Sequence, residues 1–292
     1  MAEYIKHGKL PEDMQIICTS DWHVGSRGFH EKAADGIMSR LEKEDNTYGI
    51  FNGDALEGKK IDSPHFNPDG LRAGQLNIQA QADHCAKIAG RAPEKWLSWG
   101  LGNHGLYLLR DFDIVRYICE KAGIQSIGGY QTWIDLGHFR VHAYHGRATM
   151  PRGTKDPIQR EANQRAWLKR VTEELAGDCL VHLYGHVHAL LHQPPIEQYT
   201  LLSKGKSVRA RYFVEPTQTV RTRNPTTGKE DVREFIPPTS RHYICTGTLR
   251  RSGYFGGAPD YGEVAGYPPS PIGYYEIIIR GGQIDNVVKH VV

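Results

Sequence analysis

Five times along this chain an apolar run, short enough to be a buried strand, breaks off into a small polar cluster. The runs at 14–20, 48–52, 95–100, 139–144 and 179–184 lead into Asp21-Trp22-His23, Gly53-Asp54, Gly102-Asn103-His104, Tyr144-His145-Gly146 and Gly185-His186-Val187-His188. Helical patterns intervene at 31–44, 73–90, 113–122 and 157–175, with a further strand at 132–136. Strands alternating with helices argue for a layered α/β core. Polar groups that follow buried strands gather at the carboxyl edge of a sheet, where open α/β sheets bind ligands. The expectation is that the five clusters meet at the edge of one sheet.

Side chains of a strand alternate between faces, so Asp21 and His23, two apart, are expected to point the same way. The same holds for His186 and His188 if that segment stays extended. Carboxylate oxygens mixed with imidazole nitrogens suit borderline divalent ions such as manganese, zinc, iron or nickel, whereas calcium or magnesium sites are nearly all oxygen. The set contains no cysteine, which argues against a structural zinc site.

The clusters, in this order, resemble the motifs of the calcineurin-like metallophosphoesterase superfamily over residues 19 to 188. The resemblance implies a four-layer αββα sandwich and two divalent transition-metal ions, manganese foremost. One would be held by Asp21, His23 and His188 and the other by Asn103, His145 and His186, with Asp54 bridging. His104 matches the histidine beside the reacting phosphate, and Glu57, three residues after Asp54, matches the acidic residue that orients it. Many members carry an acidic residue directly after the Asn-His pair, where this chain has Gly105. The segment Thr19-Ser20-Asp21-Trp22-His23-Val24-Gly25 is similar to the opening motif of nuclease subunits of double-strand-break repair complexes and to phage-encoded phosphoesterases.

With 15 histidines in the chain, a single match to any one cluster means little; the complete ordered set carries the reading. His142 and His182, inside apolar stretches, read as core or supporting groups, and His7, His138, His192, His242 and His290 carry no motif. His30, His65 and His84 read as surface residues, with His30 near enough to the first motif to approach a substrate.

At 292 residues, with 39% hydrophobic and 24% charged residues, the chain is long enough to bury a full core as a single domain over 1–292, and disorder of the whole is excluded. Cys18, Cys85, Cys119, Cys179 and Cys245 are odd in number and scattered, which suits small core residues in a reducing compartment rather than a disulfide framework. Met1 to Gln15 has no apolar stretch of the secretion type, and no run approaches membrane-spanning length, so the expectation is a cytoplasmic protein with no membrane partner.

After the last cluster the pattern changes. Residues 196–238 are β-rich and punctuated by proline, with a turn at Asn224-Pro225-Thr226-Thr227-Gly228, and read as a hairpin insertion. Strands at 242–246, 273–279 and 284–291 then return to the sheet, around a Gly-, Pro- and Tyr-rich loop from Ser252 to Pro271. The net charge of +3 advertises no nucleic acid, but within 201–241 nine basic residues stand against four acidic ones, and Arg147 to Arg170 forms a second basic stretch. Such groups beside a metal site either steer a polyanion such as DNA or RNA, or are solvated faces. Tyr254, Phe255, Tyr261 and Tyr267 either stack on bases or pin the loop.

Two divalent ions less the charges of Asp21 and Asp54 leave a positive site, suited to a phosphate ester and to activating water as a bridging hydroxide for in-line attack. His104 would assist the leaving oxygen. The expected function is a metal-dependent phosphodiesterase or nuclease. A phosphomonoesterase (protein phosphatase or nucleotidase) and, with all seven ligands present less readily, a non-catalytic subunit are the alternatives.

Overall fold

The computed structural model describes residues 2–63, 66–224, 226–252 and 269–292. His65, Tyr254, Phe255, Tyr261 and Tyr267 lie outside the described residues. The first half comprises β1 (Ala2–Lys6), β2 (Met14–Thr19), α1 (Glu31–Lys43), β3 (Thr47–Phe51), α2 (Ile78–Ala89), β4 (Trp96–Trp99), α3 (Asn103–Leu108), α4 (Ile114–Ala122), β5 (Gln131–Asp135) and β6 (Arg140–Tyr144). The second comprises α5 (Pro157–Thr172), β7 (Val181–Tyr184), β8 (Leu190–Gln193), β9 (Gln198–Lys204), β10 (Ser207–Phe213), β11 (Gln218–Arg223), β12 (Glu230–Phe235), β13 (His242–Thr246), β14 (Gly273–Arg280) and β15 (Gln283–Val291).

The protein is a mixed α/β structure built on two principal sheets. One has the order β15-β14-β2-β3-β4, with β2, β3 and β4 parallel and β14 and β15 antiparallel. The other has the order β1-β5-β6-β7-β13-β8, parallel through β6-β7-β13. The expectation of a single sheet edge is therefore corrected: three of the strands that lead into the polar clusters belong to one sheet and two to the other. Strands as apolar as β2 and β7 are buried on both faces, and their composition does not say which strand lies alongside.

Period-2 alternation explains why these strands are apolar throughout. Along β2, Ile17 packs toward Ile37, Met38 and Leu41 of α1, while Met14, Ile16 and Cys18 pack on Val141, Ala143, Val181, Leu183 and Ile244 of the second sheet. On that sheet's other face Tyr184, Tyr243 and Cys245 meet Trp167 and Leu168 of α5. The five cysteines are free and buried.

Helix starts follow capping chemistry. Asn77 accepts from Ala80 N (2.7 Å), so α2 begins at Ile78 rather than at 73, and Asp156 accepts from Gln159 N (2.7 Å) with Pro157 behind it in α5. His30, read as a surface residue, caps α1 by accepting from Ala33 N at 3.1 Å. The expected single hairpin at 196–238 is two separate two-stranded ribbons, β9-β10 and β11-β12. The polar sequence of β1 concealed a strand that pairs in parallel with β5. No helix among the described residues is long and apolar enough to cross a membrane.

Candidate metal centre

The strands stop short of the ligands. β2 ends at Thr19 and β7 at Tyr184, and Asp21, His23, Asp54, His186 and His188 all have positive φ, from 50° to 66°. Among the described residues they are the non-glycine positions with left-handed backbone, a conformation that aspartate and histidine tolerate better than most. Asp21 and His23 do face one way, but through turned backbone rather than extended-strand parity, and the segment at 186–188 is not extended either. Between them Trp22 drops into the core, edge-on to Phe51, Trp96 and Trp99, its indole N–H donating to Thr19 Oγ1 (2.9 Å). The loops after β2 and β3 run side by side, with Asp21 N donating to Gly53 O (2.9 Å) and His23 N to Asp54 O (3.1 Å).

Three ligand groups have donor atoms that lie within 4.8 Å of one another: Asp21/His23/His188, Asp54/His145/His186 and His23/Asp54/His104. In the first, His23 Nε2 is 3.0 Å from His188 Nε2, and Asp21 Oδ1 is 3.2 Å from His188 Nε2 and 3.8 Å from His23 Nε2. In the second, Asn103 Oδ1 is 2.9 Å from His145 Nε2 and 2.8 Å from His186 Nδ1, and Asp54 Oδ2 is 3.2 Å from His145 Nε2. Two donors each about 2.1 Å from one ion, at right-angled to tetrahedral spread, lie roughly 3.0–3.4 Å apart. Most of these spacings fall near that interval. Asp21 Oδ1 is buried with no hydrogen-bond partner, a cost that a cation relieves. The residues present thus fit a metal.

Supporting contacts fix three of these side chains. Asp21 Oδ2 accepts from Ser20 Oγ (2.5 Å) and His186 N (3.0 Å), and Ser20 Oγ in turn meets Thr246 Oγ1 of β13 (2.7 Å). Asp54 Oδ1 accepts from His104 N at 2.8 Å. His145 Nδ1 is 2.8 Å from Asn52 O, and since a carbonyl only accepts, Nδ1 carries the hydrogen and Nε2 offers its lone pair to the site. The glycines before Asp54 and Asn103 are required by closeness. A Cβ on Gly102 would overlap the Asp54 carboxylate, and one on Gly53, at φ +94°, would overlap His145.

Burial alone would lower the pKa of His23 and His145. The carboxylates of Asp21 and Glu57 facing His23, and those of Asp54 and Asp21 beside His145, instead raise both to about 9. Asp21 and Asp54 are held below the usual carboxylate range by the surrounding histidines, against burial. Both directions express one demand: three buried carboxylates, Asp21, Asp54 and Glu57, call for positive charge.

Glu57 requires a correction. Its carboxylate does not reach His104; Oε2 lies 3.2 Å from His23 Nδ1. His104 Nδ1 is bonded instead to the main-chain carbonyl of Glu57. The chain direction after Asp54, with Glu57 N donating to Val24 O (3.0 Å), turns the side chain toward the first ligand pair. Gly105 is explained too: a side chain there would run into Leu101 and face Ile114 and Val115 in the core, so an acidic group at this position has no route to the site. Arg250, which sequence reasoning missed, stands 3.6 Å from Glu57 Oε2.

The other histidines divide. His142 and His182 are fully buried, as expected. His192 and His242 stack at 7° with ring nitrogens 3.1 Å apart, and His84 binds Glu31 (2.9 Å).

No protein-family model matches the chain, and no curated protein matches it. Among solved structures it is similar to a hypothetical protein from Thermus thermophilus (12% identity, covering 96% of this chain and 99% of that one, TM-score 0.42). It is also similar to a protein of unknown function from Aquifex aeolicus (16% identity, 60% of this chain and 80% of that one, TM-score 0.32). At that level of superposition neither bears on chemistry.

Proposed function

We propose that this protein is a two-metal phosphoesterase of the calcineurin-like type that hydrolyses phosphodiesters, with nucleic acid as the leading substrate class. The observation that carries the reading is the convergence of Asp21/His23/His188 and Asp54/His145/His186 on neighbouring points, with a buried, unpartnered oxygen on Asp21. In this reading α1, α2 and α4, the two principal sheets, and α5 are the layers of an αββα sandwich. Residues 1–292 are then one domain, with 196–238 inserted.

Asp21, His23 and His188 would hold one divalent ion and Asn103, His145 and His186 the other, with Asp54 shared. When bound, such ions neutralise phosphate charge and make water acidic enough to yield hydroxide near neutral pH. The chain's own groups do the remainder. Ser20 and the His186 amide hold Asp21 in its orientation, and Asn52 fixes the tautomer of His145. His104, tethered through Nδ1, keeps Nε2 on the Asp54 side (3.9 Å from Oδ2), where it can give a proton to the leaving oxygen.

Support for a polyanionic substrate is electrostatic. Arg147, directly after a ligand strand, is exposed, and Arg209 and Arg211 project from one side of β10. Three other basic residues of these stretches are paired locally: Arg165 with Glu161 (2.6 Å), Arg233 with Asp231 (2.5 Å) and Lys169 with Glu173 (3.7 Å). The test is a panel of DNA, RNA, cyclic nucleotides, nucleotides, phosphopeptides, nitrophenyl phosphate and its bis-ester, with manganese and then zinc, iron or nickel. Turnover of diesters is expected. Turnover of monoesters alone would replace the reading with a phosphatase, and no turnover of any ester in metal-loaded protein would leave a binding subunit.

A further inference from the structure

We propose that Glu57 is a double positioning residue: its carboxylate aligns His23 as a metal ligand while its main-chain carbonyl separately aligns His104. The proposal rests on the two-metal reading above. Glu57 is buried, 4% exposed, and its Oε2 faces His23 Nδ1 at 3.2 Å. Among the described residues both of these buried atoms lack a hydrogen-bond partner, so each is the other's close polar neighbour, and the opposite nitrogen, Nε2, is the one that meets His188 Nε2 (3.0 Å) and Asp21. A carboxylate at Nδ1 keeps the hydrogen there, leaves the lone pair on Nε2 and makes that nitrogen a stronger donor to a cation. The carboxylate is itself braced, with Oε1 2.7 Å from Lys59 Nζ and Oε2 3.6 Å from Arg250 Nε. Its backbone is pinned where Glu57 N donates to Val24 O (3.0 Å), beside the bridge between Val24 and Leu56. The contact to His104 uses only the carbonyl, so side-chain substitutions separate the two tasks.

The experiment is calorimetric titration of Zn²⁺ into the metal-stripped full chain and its Glu57→Ala and Glu57→Gln variants. Nitrogen-15 NMR of the histidines in the zinc-loaded forms accompanies it. Glu57→Ala is expected to weaken one of two binding steps by about 10–100-fold and leave the other in place. Glu57→Gln, whose amide oxygen still accepts, should lose less, and a protected Nδ1–H signal of His23 should disappear only in the alanine variant. Turnover lost at limiting metal should return as metal is raised. Wild-type affinity at both steps in Glu57→Ala would overturn the proposal, as would equal weakening of both in Glu57→Gln. A loss of turnover that excess metal fails to restore would place the carboxylate's role on His104 and also overturn it. If the wild-type chain bound no zinc, the two-metal reading itself would fall first.

Discussion

Asp54, like His23, is a side chain on which two of the candidate ligand groups overlap. It stands with His145 and His186 in one group and with His23 and His104 in another. Asp54→Asn is therefore expected to damage both metal sites at once and remove nearly all phosphoesterase activity; elemental analysis after metal loading, beside a rate assay, checks both halves. His104 is different in kind, since its Nδ1 is spent on a carbonyl and its backbone N–H on Asp54. His104→Ala should keep both ions and lower kcat by about 10²–10⁴, the usual scale for a positioned proton donor. Loss of metal from that variant would instead make His104 a ligand, consistent with its place in the third group. That these side chains come together was legible from residue type and order. What Glu57 does was not, because a three-residue spacing from Asp54 leaves open which neighbour a carboxylate turns toward.

At the level of elements, the backbone turns after β2, β3 and β7 matter more than the strands themselves. Five left-handed residues at roughly 1–3 kcal/mol each are a substantial local strain, sustained because the strands on which they stand are buried on both sides. A second feature links four strands of the six-stranded sheet. Trp133 of β5, His142 of β6, His182 of β7 and Tyr243 of β13 lie opposite one another in register, with ring centroids 4.6, 5.4 and 5.1 Å apart along the row. Burial pushes His142 down to about 4 and His182 well below the ordinary histidine range. Between the unfolded value near 6.5 and the folded one, the unfolded chain binds more protons, so stability is full above about pH 6.5 and is lost as pH falls toward 4. Tm should decline through that window. His182→Phe, which discards no side-chain hydrogen bond, should flatten the decline, and an unchanged slope in a thermal-melt series would remove the row from the acid response.

Across the whole molecule, one buried cation ties distant parts together. Arg241, fully buried, donates to Ile236 O (2.7 Å) at the end of the insertion, to Glu173 O (2.6 Å) just past α5 and to Gly177 O (3.3 Å), with Phe235 under its guanidinium. Hydrogen bonds from a charged donor contribute about 1.5–3 kcal/mol each, and losing them strands buried carbonyls. Arg241→Met is expected to lower the denaturant midpoint clearly while leaving metal stoichiometry at two, which separates its role from that of the site. The insertion itself carries the functional question that charge raises. Replacing Arg209, Arg211, Arg221 and Arg223 with Ala should weaken cleavage of DNA and reduce its salt dependence while sparing a small bis-ester, since counterion release scales with the phosphates contacted. Equal loss on both substrates would return these arginines to the status of solvated surface.

The sequence by itself determined the α/β alternation, most strand positions to within one or two residues, and which side chains gather in the clusters. These depend on short-range properties: hydrophobic period, capping groups and a chemically distinctive set of side chains. Tertiary structure alone decided that the clustered side chains come from two sheets, because strands buried on both faces look alike whichever neighbour they pair with. It likewise decided that β1 joins a sheet despite its polar sequence, that 196–238 forms two ribbons, and that the Glu57 carboxylate meets His23 rather than His104. Each of those outcomes is a contact between residues far apart in sequence or a direction taken by turned backbone, and neither leaves a period in the chain to be read.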